Sequence, residues 1–102
     1  MSFKKQFLKS KPVCKVTFKL SKEEAKNADS VKLVGDFNDW DTQSKPMKKL
    51  KNGGFTSTLN LEKDKQYQFR YLLNDVEWEN DWTADAYLPS PVSLEDNSVV
   101  NV

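Results

Sequence analysis

The chain of 102 residues contains no histidine, one cysteine, three glycines and four prolines. Without histidine it lacks the commonest general base and the commonest metal ligand. One cysteine excludes a disulfide framework and any cysteine-based zinc site. So few glycines and prolines exclude a collagen-like or low-complexity chain. No run approaches the roughly 18 apolar residues of a membrane-spanning helix. The first twelve residues are basic but hold no apolar stretch of the length a signal peptide needs. The lone Cys14 lies in an alternating apolar pattern and reads as a small core residue in a reducing compartment, with the cytoplasm as the default location.

What is present is a single domain's worth of chain, since domains usually run to about 100–150 residues. Folding at this size removes roughly 65% of the unfolded surface, which is enough for one modest core. Aromatic residues make up 12%, unlike a disordered chain. Sixteen basic side chains oppose fifteen acidic ones for a net charge of +1, so the bulk field does not attract polyanions and no nucleic-acid partner is expected. The charges are segregated, however. The first twenty residues carry Lys4, Lys5, Lys9, Lys11, Lys15 and Lys19 with no acid. Beyond Arg70 come Asp75, Glu77, Glu79, Asp81, Asp85, Glu95 and Asp96 with no base.

The apolar period is two almost throughout. Cys14, Val16, Phe18 and Leu20 alternate with polar residues, as do Phe55, Leu59 and Leu61, and Tyr67, Phe69, Tyr71 and Leu73. Each run predicts a half-buried strand. Shorter strands are expected at 31–35, 47–50, 76–78 and 98–102, with one helical turn at 23–28. Turns are expected at Asn52-Gly53-Gly54 and Asn74-Asp75. Pro89 and Pro91 predict an irregular segment over 84–97. About seven short strands separated by turns predict an all-β, immunoglobulin-like antiparallel β-sandwich, with Val16, Phe18, Leu33, Phe37, Leu59, Phe69 and Tyr71 in its core.

The carboxylates between Glu77 and Asp81 invite comparison with a glycosidase pair, and Asp36, Asn38 and Asp41 with calcium ligands. A small sandwich has no deep cleft to split two carboxyl pKa values, and the loop lacks the glycine and closing glutamate of an EF-hand. No phosphate-binding loop, dinucleotide fingerprint or nucleophile–base set is present. Neither catalysis, metal nor cofactor is expected. The aromatics are more informative. Trp40 ends a polar loop, Trp78 follows a turn in an acidic segment, and Arg70 falls on the strand face opposite Tyr67, Phe69 and Tyr71, which points it outward. An indole face packs on the apolar C–H patch of a pyranose while rim groups meet its hydroxyls. Rim-covering is the structural alternative for both tryptophans. Trp82, in Asp81-Trp82-Thr83-Ala84-Asp85-Ala86-Tyr87, is expected to fold back into the core.

The run Val31-Lys32-Leu33-Val34-Gly35-Asp36-Phe37-Asn38-Asp39-Trp40, then Pro46-Met47, Gly54-Phe55 and the segment from Tyr67 to Asp81, resembles the family 48 carbohydrate-binding modules. These are the early-set immunoglobulin-like domains of isoamylases and glycogen branching enzymes, similar to the glycogen-binding domain of the AMP-activated protein kinase β subunit. The likeness covers residues 13 to 102. It implies a stand-alone, non-catalytic bacterial module that binds α-1,4-linked glucan such as glycogen or starch. It also implies the site residues: Trp40 and Trp78 as the sugar platform, Arg70 where lysine is often found, and Asn97 before the last strand. Trp82 replaces a proline common in the family. The loop 88–96 does not align residue by residue, although Leu94 falls near the place of an apolar contact. The alternative is a protein-interaction module that docks on a glycogen-metabolising enzyme or self-associates as a weak homodimer without binding sugar. Residues 1–11 read as a basic extension to a domain at 12–102. Phe3, Phe7 and Leu8 lie among its lysines, so this segment is expected to dock on its own sandwich or on a second copy.

Overall fold

The computed structural model describes residues 3–90 and 95–102. Nine strands are present among them: β1 (Phe3–Phe7), β2 (Val13–Leu20), β3 (Val31–Gly35), β4 (Lys48–Lys49), β5 (Phe55–Glu62), β6 (Gln66–Leu73), β7 (Glu77–Glu79), β8 (Ala86–Pro89) and β9 (Asp96–Asn101). They form two sheets, ordered β1-β2-β5-β4 and β3-β6-β9-β8, with β7 also pairing with β6. Every pairing is antiparallel, and the fold is the expected immunoglobulin-like sandwich. No helix among the described residues is long and apolar enough to cross a membrane.

Alternation in the sequence becomes alternation of faces. Cys14, Val16 and Phe18 of β2 are fully buried, as are Phe69 and Tyr71 of β6. Phe18 meets Phe69 edge-on at 5.3 Å between centroids, and Phe69 meets Tyr71 at 5.6 Å. Of the expected core, Phe37 and Leu59 are only half-buried and pack against its margin. The cause is the two-residue length of β4. It pairs only with Phe55 and Thr56, leaving the rest of β5 to border an open hollow of about 520 Å³ lined in part by Leu59 and Phe37.

The turns follow their residues. Gly53 has φ +87°, and Asn74 and Asp75 both lie in the left-handed region, as the tight β6–β7 hairpin requires. Residues 21–28 close as a turn in which Ser21 and Glu24 cap one another. Gly35 is needed for space, since its backbone is extended. A Cβ there would lie 2.5 Å from the Gln68 carbonyl oxygen and 2.6 Å from the Phe69 Cβ. Gly35→Ala must therefore push β3 from β6, and a loss of about 1–3 kcal/mol is expected in urea denaturation, as for an overpacked core.

Two expectations are corrected. Residues 86–89 are a paired strand despite Pro89, because β8 lies at the sheet edge and Pro89 at its end, where a missing N–H costs little. Trp82 is 53% exposed. Its neighbour Asp81 takes the inward place, accepting from the Tyr71 hydroxyl at 2.8 Å and the Thr83 amide at 2.9 Å, and turns Trp82 to solvent. Burial, followed by the adjacent Asp81 carboxylate, pushes the Tyr71 phenol well above its ordinary range.

At the N-terminus, β1 lies along β2 in register from Phe3 opposite Phe18 to Phe7 opposite Cys14. Lys5 reaches Asp85 at 2.6 Å, so some of the segregated charge pairs within the chain. Deleting residues 1–11 removes this strand and uncovers one edge of β2. A lower melting temperature is expected from calorimetry, and no loss of a dimer from sedimentation, because β1 pairs within its own chain.

Candidate functional site

Arg70, Trp78 and Asn97, three of the four residues singled out from the sequence, stand on the outward face of the sheet formed by β3, β6, β9 and β8 with β7, and Trp40 lies in the loop that follows β3. Arg70 projects from β6 on this face, opposite Val34 of β3. Its Nε donates to Asn97 Oδ1 at 2.7 Å and its Nη2 to the Glu95 carbonyl at 3.0 Å. Asn97 Nδ2 in turn donates to Gln68 Oε1 at 3.0 Å. The pattern of β6 points Arg70 away from the core, as expected, but the side chain is only 7% exposed and Asn97 4%. Its partners lie 25 and 27 residues further on and come to it only through the β6–β9 pairing.

Trp78 stands on β7 opposite Leu72 of β6, two positions from Arg70 on the same face, and is 38% exposed. It borders a hollow of about 470 Å³ lined by Leu72, Val76, Gln43 and the Lys32–Asp75 ion pair among others. Lys32 also donates to the Thr42 carbonyl, which ties the Trp40 loop to β3 beside that hollow. These lining residues were not singled out from the sequence. Gln43 and Thr42 lie 29 to 36 positions from Leu72 and Trp78, and only the fold brings them near.

Trp40 is half-buried, and its indole N–H donates to Asp36 Oδ1 at 2.8 Å. The other Asp36 oxygen accepts the Gln68 amide at 2.8 Å. Asp36 thus joins Trp40 to β6 four positions from Leu72, about 13 Å along the strand. The Asp39 and Trp40 backbones both have φ near +55°, a conformation that costs roughly 1–2 kcal/mol for a residue with a side chain. Trp40 N–H to the Gly35 carbonyl, at 2.9 Å, closes this turn. Asn38 is used on backbone, accepting from the Gly35 amide and donating to the Leu33 carbonyl. Asp36 was legible as the residue four before Trp40, a spacing that lets a turn fold one side chain onto the other.

The acidic segment has other duties. Glu77 and Glu79 share Lys26 at 2.7 and 2.9 Å, and together they hold its ammonium well above the ordinary lysine range, Glu77 most. Asp81 is bound into the core edge as described. Two of the three carboxylates are therefore ion-paired and the third is buried. Leu94 lies outside the described residues.

The face thus offers indole surface, a guanidinium fixed by an amide, and exposed polar groups around a shallow hollow. That combination suits a flat ligand with both C–H and hydroxyl surface. The family model described as carbohydrate-binding module 48 (isoamylase N-terminal domain) matches residues 14–88. The matched span includes Trp40, Arg70 and Trp78 and stops short of Asn97. No curated protein matches the chain.

Proposed function

This chain belongs to the family 48 carbohydrate-binding modules, and from that membership we propose that it binds α-1,4-linked glucan, of glycogen or starch type, on the outward face of the β3-β6-β9-β8 sheet. Trp40 and Trp78 are the stacking surfaces, and Arg70 and Asn97 supply hydrogen bonds to sugar hydroxyls. The observation that carries the reading is the convergence of all four on β6. Arg70 bonds Asn97 at 2.7 Å, Trp78 lies two positions away across from Leu72, and Asp36 ties Trp40 to the same strand. The left-handed backbone at Trp40 adds to it, because backbone strain concentrates at binding sites.

The partner is a maltooligosaccharide or the non-reducing chains of an α-glucan. Affinity electrophoresis in gels containing glycogen, amylopectin or a β-linked glucan tests this. Retardation by the α-glucans alone is expected. Retardation by none, with maltoheptaose also leaving tryptophan fluorescence unchanged at millimolar concentration, would favour a protein-docking role for the same aromatic face.

A further inference from the structure

The sheet on the opposite side of the sandwich has a different chemistry. Register and burial define its outward face as a grid. Lys19, Thr56 and Lys48 form one row across β2, β5 and β4; Lys4, Thr17 and Thr58 form the next across β1, β2 and β5; Gln6, Lys15 and Asn60 form the third. Lys4, Lys15, Lys19 and Lys48 are all exposed, and among the described residues none of the four is in an ion pair. The one acid among the outward residues of these strands is Glu62, at the far end, and it is paired with Lys65.

Strand spacing and rise set neighbouring lysines about 8–10 Å apart and Lys48 about 16–17 Å from Lys4 and Lys15. Neighbours are thus near one screening length at physiological ionic strength, so the fields of adjacent lysines overlap along the face. Edge lysines guard against strand pairing, which accounts for Lys4 and Lys48. It does not account for Lys15 and Lys19, because β2 is flanked by strands on both sides. Elsewhere some cations meet anions, Lys5 with Asp85, Lys26 with Glu77 and Glu79, and Lys32 with Asp75, so what sets this face apart is the alignment of its lysines in rows with Thr, Asn and Gln. Of the acids of the C-terminal half, Asp75, Glu77, Glu79 and Asp85 are engaged in these pairs and Asp81 is buried, whereas Asp96 and, earlier in the chain, Glu23, Asp29, Asp39, Asp41 and Asp64 are exposed. A net charge of +1 conceals the asymmetry.

We propose that this lysine–threonine face is a second binding surface, for a polysaccharide that carries anionic substituents, its lysines meeting the charged groups and its Thr, Asn and Gln side chains the neighbouring hydroxyls. The choice of a polysaccharide rests on the glucan-binding reading above. Among the described residues its outward rows hold no aromatic side chain on which nucleic-acid bases would stack and no large apolar group with which a peripheral protein enters a bilayer; Phe7, 55% exposed, lies at the β1 edge in register with inward-facing Cys14. Rows of hydroxyl and amide groups between cations match a polymer that is both charged and hydroxylated. With neutral glucan on one side and charged glycan on the other, the two sheets would make the module bivalent.

The test is affinity electrophoresis of the full chain in phosphorylated amylopectin, in the same polymer after phosphatase treatment, and in polygalacturonate. Greater retardation by the phosphorylated polymer is expected, with the increment falling as salt is added. Combined Lys15→Gln, Lys19→Gln and Lys48→Gln should weaken that increment about tenfold, each exposed pair contributing roughly a factor of two, and leave retardation by the dephosphorylated polymer unchanged. Trp78→Ala should do the reverse. Retention on polygalacturonate but not on phosphorylated amylopectin would assign the anion as carboxylate and still support the surface. No increment on either polymer, or an increment that survives the triple substitution, would overturn it. So would equal lysine-dependent binding of duplex DNA or phosphatidylserine vesicles, which would make the face a general polyanion surface. If the dephosphorylated polymer failed to retard the wild-type chain while the lysine-dependent increment remained, the neutral-glucan reading would fail and this one would stand.

Discussion

Phe69→Ala is expected to lower the unfolding free energy by about 3–5 kcal/mol, the range for truncating a buried phenylalanine. Phe69 is fully buried at the centre of the sandwich. Its ring meets Phe18 of the facing sheet at 5.3 Å, Tyr71 of its own strand at 5.6 Å and Phe37 at 6.3 Å. Alanine leaves a void bounded by three aromatic rings, and β-sheet backbone on both sides limits its collapse. Domains of this kind hold roughly 5–15 kcal/mol in total. For about 100 residues, each kilocalorie moves the melting temperature by about 4–8 °C. A fall of well over 10 °C in thermal denaturation followed by circular dichroism is therefore expected. Leu59→Ala, at the open rim beside the short β4, should cost less, because its side chain already touches solvent. Equal melting temperatures for wild type and Phe69→Ala would mean that the inward face of β6 is misassigned.

The same contrast separates what the sequence made legible from what it did not. Period-two alternation named the faces of β2, β5 and β6 because each runs eight residues; it did not show that β6 is buried on both sides from Phe69 to Leu73, since the outward cover of Arg70 and Leu72 comes from other parts of the chain. Alternation fails where a strand is short or lies at an edge. β8 has four residues and contains a proline, and only its place at the end of the sheet makes that tolerable. Trp82 went astray because hydrophobicity predicts burial, whereas here a hydrogen-bonded carboxylate next to it holds the inward position. Phe37 and Leu59 have core residue types at a margin that the length of β4 decides. For the candidate site, Trp40, Arg70, Trp78 and Asn97 were named through a motif. Their connections were not, because Arg70 with Asn97, Asp36 with Gln68, and Lys32 with Asp75 join residues 27 to 43 positions apart.

Those connections set different expectations for each substitution in the proposed sugar site. Trp78→Ala is expected to weaken α-glucan binding by about 2 kcal/mol, near thirtyfold, the scale of a central aromatic contact. Because Trp78 is partly exposed on the short β7, the melting temperature should change little. Trp40→Ala should weaken binding comparably. Asp36→Ala should do so less severely by freeing the indole, and should also lower stability, since the Gln68 amide loses its acceptor. Arg70→Ala differs again. Loss of its hydrogen bonds to sugar should cost roughly 1–3 kcal/mol of binding. The side chain is also nearly buried and holds Asn97 and the Glu95 carbonyl, so its removal leaves both without that donor and lowers stability as well. Calorimetric titration with maltoheptaose beside thermal denaturation separates the two effects. A stable Trp78→Ala protein that binds maltoheptaose as tightly as wild type would place the sugar elsewhere. If Arg70→Ala lost stability alone, the guanidinium would serve only to join β6 to the start of β9 and the residue before it.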